Sequence, residues 1–254
     1  MIRRLVLAAS LVFVGTTLLA RDVSTTITVR AISRDAKVIG DAVGGARITI
    51  REAATGKVLA RGIQRGGTGD TKRIMQEPRE RDATIYGTEG AASFQAALDL
   101  SRPTRVEIIA EGPLKYPQAM QRVSKTMLLF PGQHIEGEGV LLEIHGFIVD
   151  IISPEVVPAG KPLDVRAKVM MTCGCPTEPG GLWDAEKIEV TVHAMQGDKV
   201  VGKTTLRYAG ATSTFAGTIP SLPEGTYKLE VTAAQSGSVN FGVSKQTITV
   251  KRKH

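Results

Sequence analysis

At 254 residues the chain can hold one large domain or two small ones, and its 42% apolar content is enough for a packed core. The formal charge of +7 is modest, aromatics make up only 4%, and the lysines and arginines are scattered, often at alternate positions, as on a solvated sheet face. A nucleic-acid surface wants a clustered basic patch with interleaved aromatics, so nucleic acid is not an expected partner.

Residues 1–20 read as a signal peptide. Arg3 and Arg4 supply the positive end, Leu5 to Leu19 are apolar or small, and Ala20 offers a small residue for cleavage. The run is shorter than the ~20 residues a spanning helix needs, and no cysteine follows it to carry a lipid anchor. An uncleaved N-terminal anchor is the alternative. The expectation is a periplasmic or secreted chain starting near Arg21, with no stable membrane insertion after cleavage. Removing Arg3 and Arg4 lowers the charge from +7 to +5.

Thr25–Ala31 alternates polar and apolar residues, as a half-buried strand does. Ala46–Arg51 and Val58–Ile63 repeat the pattern on either side of Ala54-Thr55-Gly56-Lys57, which predicts a hairpin. Between Gly66 and Gly90 the pattern stops, and a charged, glycine-rich stretch predicts a long loop or insertion. Further strands are expected at Ala92–Leu98, Arg105–Ala110, Val123–Phe130 and Gly139–Ile144. Glu136 and Glu138 fall in a glycine-rich turn, where solvation is the expectation.

The second half opens with Phe147–Ile152. Leu163–Met171 follows, with Leu163, Val165, Ala167 and Val169 on one face. Beyond the cysteines come Lys187–Met195, Lys199–Tyr208, Ser213–Ile219, Thr226–Ala233 and Lys245–Val250. About seven strands in ~105 residues is the count of an immunoglobulin-like sandwich. No amphipathic helix of ten or more residues is expected after the signal segment.

Gly45-Ala46-Arg47-Ile48-Thr49-Ile50 and Ala54-Thr55-Gly56-Lys57-Val58-Leu59-Ala60 resemble the bacterial transthyretin-like, carboxypeptidase-regulatory-like sandwich. The resemblance covers about forty residues and implies a fold for 21–146, not an activity. On strand spacing, 147–254 is similar to the immunoglobulin-like modules of exported bacterial proteins. It lacks the two distant cysteines of antibody-type domains. Pro223-Glu224-Gly225-Thr226-Tyr227 resembles the turn before a late strand whose tyrosine packs at a sandwich corner.

Any special chemistry is expected in Met170–Trp183, which holds both cysteines and the one tryptophan. Cys173 and Cys175 flank Gly174. In a flat strand their Cα atoms would sit ~6.5–7 Å apart, just beyond disulfide reach, but glycine lets the chain tighten. Four readings compete: a local disulfide, a soft-metal site, an intermolecular disulfide and a free or redox-active dithiol. The metal reading takes Cu(I) or Zn(II) as cofactor, with Met170, Met171 or His193 as added ligands, because two thiolates do not fill a tetrahedral shell. One of Met170 and Met171 is expected to face the core and the other to face out. Trp183 is a candidate partner contact.

No Gly-x-Ser-x-Gly elbow, His-Glu-x-x-His helix or phosphate-cradling loop is present, and no catalytic residue is expected. The fold expected is all-β: two tandem β-sandwich domains, transthyretin-like and immunoglobulin-like, touching near Gly146. The function expected is that of an exported non-catalytic binding or accessory protein for another envelope or secreted protein. The alternative is a periplasmic copper binder. The Thr172–Trp183 loop and the Gly66–Gly90 stretch are the expected contact surfaces, with sulfur and indole displayed at a loop tip.

Overall fold

The structure is a computed structural model that describes residues 23–252, so the signal-peptide reading of 1–20 lies outside the described residues. The fold is all-β. The first seven strands are β1 (Val23–Ser33), β2 (Ala46–Glu52), β3 (Val58–Gln64), β4 (Phe94–Leu100), β5 (Thr104–Gly112), β6 (Gln121–Leu129) and β7 (His134–Ile144). They form a three-stranded sheet, β4-β1-β7, and a four-stranded sheet, β3-β2-β5-β6. Alternation sends Ile27, Val29 and Ala31 of β1 and Ile48 and Ile50 of β2 inward, where they meet Val106 and Ile108 of β5 in one core. The two sheets are the layers of a sandwich. The predicted hairpin is β2-β3, with Ala46 opposite Gln64.

β1 and β7 run parallel, a pairing that period-2 patterns do not encode. Their register jumps: Ile27 faces Ile135, but Val29 faces Val140, so residues 136–139 bulge out of β7. Gly137 (φ 63°) and Gly139 (φ 71°) take the left-handed conformations the excursion needs. The sequence expectation of a solvated turn is thereby corrected, because Glu138 turns inward. Its carboxylate accepts hydrogen bonds from the backbone N–H groups of Ile85 (3.0 Å), Tyr86 (2.9 Å) and Gly87 (3.0 Å).

Those amides belong to the 66–90 stretch, which is a folded flap rather than a bare loop. A short helix, α1 (Thr71–Met75), starts at Asp70, whose side chain accepts from Arg73 N at 2.8 Å. Ile74, Ile85 and Tyr86 pack with Ile32, Val38 and Ala92 in a satellite core. Five residues carry no readable helical period, which is why the sequence pattern stopped there.

The second half comprises β8 (Phe147–Ile151), β9 (Val156–Pro158), β10 (Leu163–Met171), β11 (Ile188–Gln196), β12 (Lys199–Tyr208), β13 (Thr214–Ile219), β14 (Gly225–Gln235) and β15 (Phe241–Lys251). One ladder runs β8-β10-β13-β12-β11-β14-β15-β9. β12 and β13 pair only at Arg207–Ala216 and Tyr208–Phe215, so the ladder turns a corner there and encloses a core. The predicted tyrosine corner is present: Tyr227, 2% exposed, donates its hydroxyl hydrogen to Pro223 O at 2.9 Å. β9 is too short and proline-flanked to be read from sequence. Among the described residues no helix is long and apolar enough to cross a membrane.

Candidate functional site

The two halves share buried side chains. Ile148 of β8 packs in the first core, and Ala36, from the turn after β1, packs in the second. Gly146 N donates to Asn240 Oδ1 at 2.9 Å, and Gln118 Nε2 donates to Val149 O at 3.2 Å.

The cysteine loop lies on this contact. After Met171 the chain reverses at once: Gly174 N donates to Met171 O at 2.8 Å, and Met171 N to Cys175 O at 3.1 Å. Gly174 takes φ 79°, which brings the flanking Cα atoms to 5.4 Å. That falls inside disulfide reach, and Cys173 and Cys175 are bonded to each other. Both are buried, at 1% and 4% exposure, in the second core. A Cβ at position 174 would lie 2.7 Å from Val43 Cγ1 of the first half, so only glycine lets the loop seat this closely. Beside it, buried Thr172 donates its hydroxyl hydrogen to Ser33 Oγ at 2.7 Å.

The expectation of sulfur displayed at a loop tip is therefore corrected. Thr172, Cys173, Cys175 and Thr177 are inside, where each apolar contact removes surface from water and each hydroxyl finds a partner. The exposed parts are Pro176 and the 178–182 tip. The two methionines alternate as expected, but neither side of β10 is free at that point. Met171 is 2% exposed in the second core, and Met170 packs against the first. The expectation that one of them faces out missed that the neighbouring half covers the other face.

His193 is not brought to the cysteines. β13 and β12 stand between β10 and β11 in the ladder. His193 also lies on the face opposite buried Val192 and Ala194, between Lys203 and Glu230. Among the described residues no group of three or more His, Cys, Asp and Glu side chains is placed to hold a metal ion.

Trp183 completes the joint. Its Nε1–H donates to Asp35 O at 3.0 Å, while the ring packs on the second core. Asp35 sits at φ 54°, a conformation aspartate tolerates better than most residues. Asp184 holds the strand of loop behind the indole. Its carboxylate accepts from Glu186 N at 3.0 Å and Gly180 N at 3.1 Å, and these two amides, Glu186 first, hold its carboxyl below the ordinary aspartate value.

In front of the indole is a groove of about 260 Å³ lined by Asp35, Phe147, Met171, Leu182, Trp183 and Gln235. Leu182, 47% exposed, forms its rim. Sequence reasoning found Trp183 and the Thr172–Trp183 loop but missed their partners Asp35 and Ser33. Arg34-Asp35 between two apolar runs was a turn signal, yet nothing local ties it to a residue almost 150 positions away.

No family model matches the chain, and no curated protein matches it. Solved structures give distant likenesses. A Dpr2 Ig1-Ig2 structure in complex with DIP-Theta Ig1-Ig3 is 10% identical over 89% of this chain and 94% of that one, with a TM-score of 0.29. Titin domains z1z2 in complex with telethonin are 10% identical over 92% and 96%, with a TM-score of 0.26. A marsupial T cell receptor is 11% identical over 91% and 74%, with a TM-score of 0.32. Scores this low carry nothing about function. The β-sandwich fold rests on the strand ladders and cores themselves.

Proposed function

We propose that the protein is an exported, non-catalytic binding or accessory module whose groove beside Trp183 receives a segment of another envelope or secreted protein. The observation that carries this reading is the make-up of the groove. Its walls come from both halves, and three bonds fix them: the buried disulfide, the buried Thr172 to Ser33 hydrogen bond, and Trp183 to Asp35 at the exposed edge. A surface built this way is pre-organised, so a partner bound there meets little ordering cost. A half-buried tryptophan rimmed by an exposed leucine is the kind of anchor that dominates protein interfaces. The closed disulfide supports an oxidising compartment, periplasmic or extracellular, in keeping with the signal-peptide reading of residues 1–20.

The test is photo-crosslinking in the native host. A photoreactive residue replaces Leu182 in one variant and exposed Lys125, on the first sandwich, in another. A discrete adduct specific to position 182, lost on Trp183→Ala, is the expected result. Identical adduct patterns from the two positions would overturn the reading.

A further inference from the structure

We propose that the Trp183 groove is one end of a longer trough, and that its occupant is an extended basic segment of the partner with an apolar side chain at each end. The inference rests on the groove reading above and names the partner's chemistry. A second cleft, of about 410 Å³, adjoins the groove on the second sandwich. The two share Lys187, Ile188 and Gln235 in their walls, so they are continuous. Ile188 and Gln235 face each other as the end pair of the β11-β14 ladder, where one cleft passes into the other.

β15 builds the far end. Phe241 is 59% exposed and stands beside Ala234 and, one strand further, Glu189. Val243, also exposed, follows two residues on and so shares its face. Single exposed apolar residues are ordinary, but Leu182 and Phe241 stand at opposite ends of one trough, as a pair of anchor points would. The turn that presents Phe241 is fixed in place. Buried Asn240 accepts from Gly146 N through its side chain and from Gln235 N, at 3.2 Å, through its carbonyl. Both ends of the trough are therefore tied to the contact between the halves, one through Trp183 and Asp35, the other through Asn240 and Gly146.

Charge selects the occupant. The chain carries a formal charge of +7, yet the trough is acidic: Asp35, Asp184, Glu186 and Glu189 line it against Lys187. Asp35 is paired with Arg34, and Asp184 accepts from two backbone amides. Glu186 and Glu189 are exposed and have no ion pair among the described residues. A lysine or arginine of the partner complements them, and an acidic segment is repelled. An extended chain advances about 3.3 Å per residue and turns alternate side chains to one face. An apolar-x-basic-x-apolar pattern therefore presents all three groups to the trough.

The probes are synthetic peptides of the pattern Leu-Ser-Lys-Ser-Phe, with counterparts in which glutamate replaces lysine or serine replaces both apolar residues. They are titrated into the full chain. Trp183, the one tryptophan, reports the groove end by fluorescence, and the backbone amide shifts of Phe241 and Val243 report the other end. Expected are saturable changes at both ends with one midpoint, about fivefold weaker binding with glutamate, and none without the apolar pair. Phe241→Ser, at an exposed site, should weaken the lysine peptide about tenfold. Glu186→Lys with Glu189→Lys should reverse the order of the lysine and glutamate peptides. If Trp183 responds while Phe241 and Val243 do not, the trough fails and the groove reading stands. If neither end responds to the lysine peptide, the trough fails, and the adduct at position 182 decides the groove reading separately. Equal binding of the lysine and glutamate peptides also overturns the proposal. So does a dimer in sedimentation that Phe241→Ser abolishes, which would give the trough to a second copy of the chain.

Discussion

The two stretches where the strand pattern breaks, 172–183 and 66–90, are anchored by different physics. The first is held from within: a disulfide, a buried hydroxyl pair and an indole hydrogen bond bind it into the contact between the halves. The second is held from outside: the Glu138 carboxylate reaches in from a bulge of β7 and satisfies three successive amides, Lys37 Nζ donates to Thr71 Oγ1, and the N–H groups of Val38 and Asp41 donate to Thr68 O and Gly66 O, over a small core of its own. The comparison teaches that an irregular segment can be anchored by burying it between two bodies or by placing one charge where several of its backbone donors converge. The first arrangement spreads its loss over many contacts. In the second, one residue carries the largest single share.

The largest effect is expected at the tightest point of the first segment. Gly174→Val adds a branched side chain at φ 79°, where its Cβ would sit 2.7 Å from Val43 Cγ1. Strain and overpacking together should cost about 3 kcal/mol or more, read as a lower denaturant midpoint. A midpoint unchanged within error would show that the loop does not seat against the first half. Glu138→Ala comes next: it strands three amide donors and should cost about 2–3 kcal/mol of local stability. Hydrogen exchange should accelerate at Ile85, Tyr86 and Gly87 and not at Thr172 or Thr177. Glu138→Gln keeps an acceptor oxygen and should fall between alanine and the parent.

Removing the disulfide with Cys173→Ala and Cys175→Ala together should cost only about 2 kcal/mol, because a three-residue ring constrains little of the unfolded chain. A loss well beyond that would mean that the sulfurs do more than close a turn. Trp183→Phe retains the packing but removes the hydrogen bond to Asp35 O, for about 1 kcal/mol or less, measurable by thermal unfolding. The smallest effect is the pH response of the loop tip. The carboxyl of Asp184 is held down by the amides of Glu186 and Gly180, so its contribution is complete above the ordinary aspartate range. It disappears as pH falls through the lower folded value. Trp183 fluorescence should change in that acidic window in the parent and not in Asp184→Asn.

The strands were legible because their side chains alternate. Leu163–Met171 is read at its observed bounds, and the Tyr227 corner follows from a local turn. The cysteine pair was legible as chemistry but not as location. That Gly174 lets the thiols meet is a local matter. That Val43 stands 2.7 Å from where its side chain would be is not. The surroundings of Arg30 and Glu138 were invisible for a related reason. Arg30 looks like an ordinary strand charge and Glu138 like a solvated turn charge, and only the parallel β1-β7 pairing, with its four-residue bulge, buries the first against the bulge carbonyls and turns the second onto the flap amides.

The linear order of residues thus determined the strands, the sandwich class and the tight turn at Gly174, since all three depend on neighbours within a few positions. Tertiary structure alone decided what the turn is for. Burial and partner choice depend on which surfaces from distant parts of the chain meet. Ser33 reaches Thr172 across 139 positions because packing the two halves together leaves those hydroxyls no water to bond instead, and Asp35 reaches Trp183 across 148 at the exposed edge of the same contact.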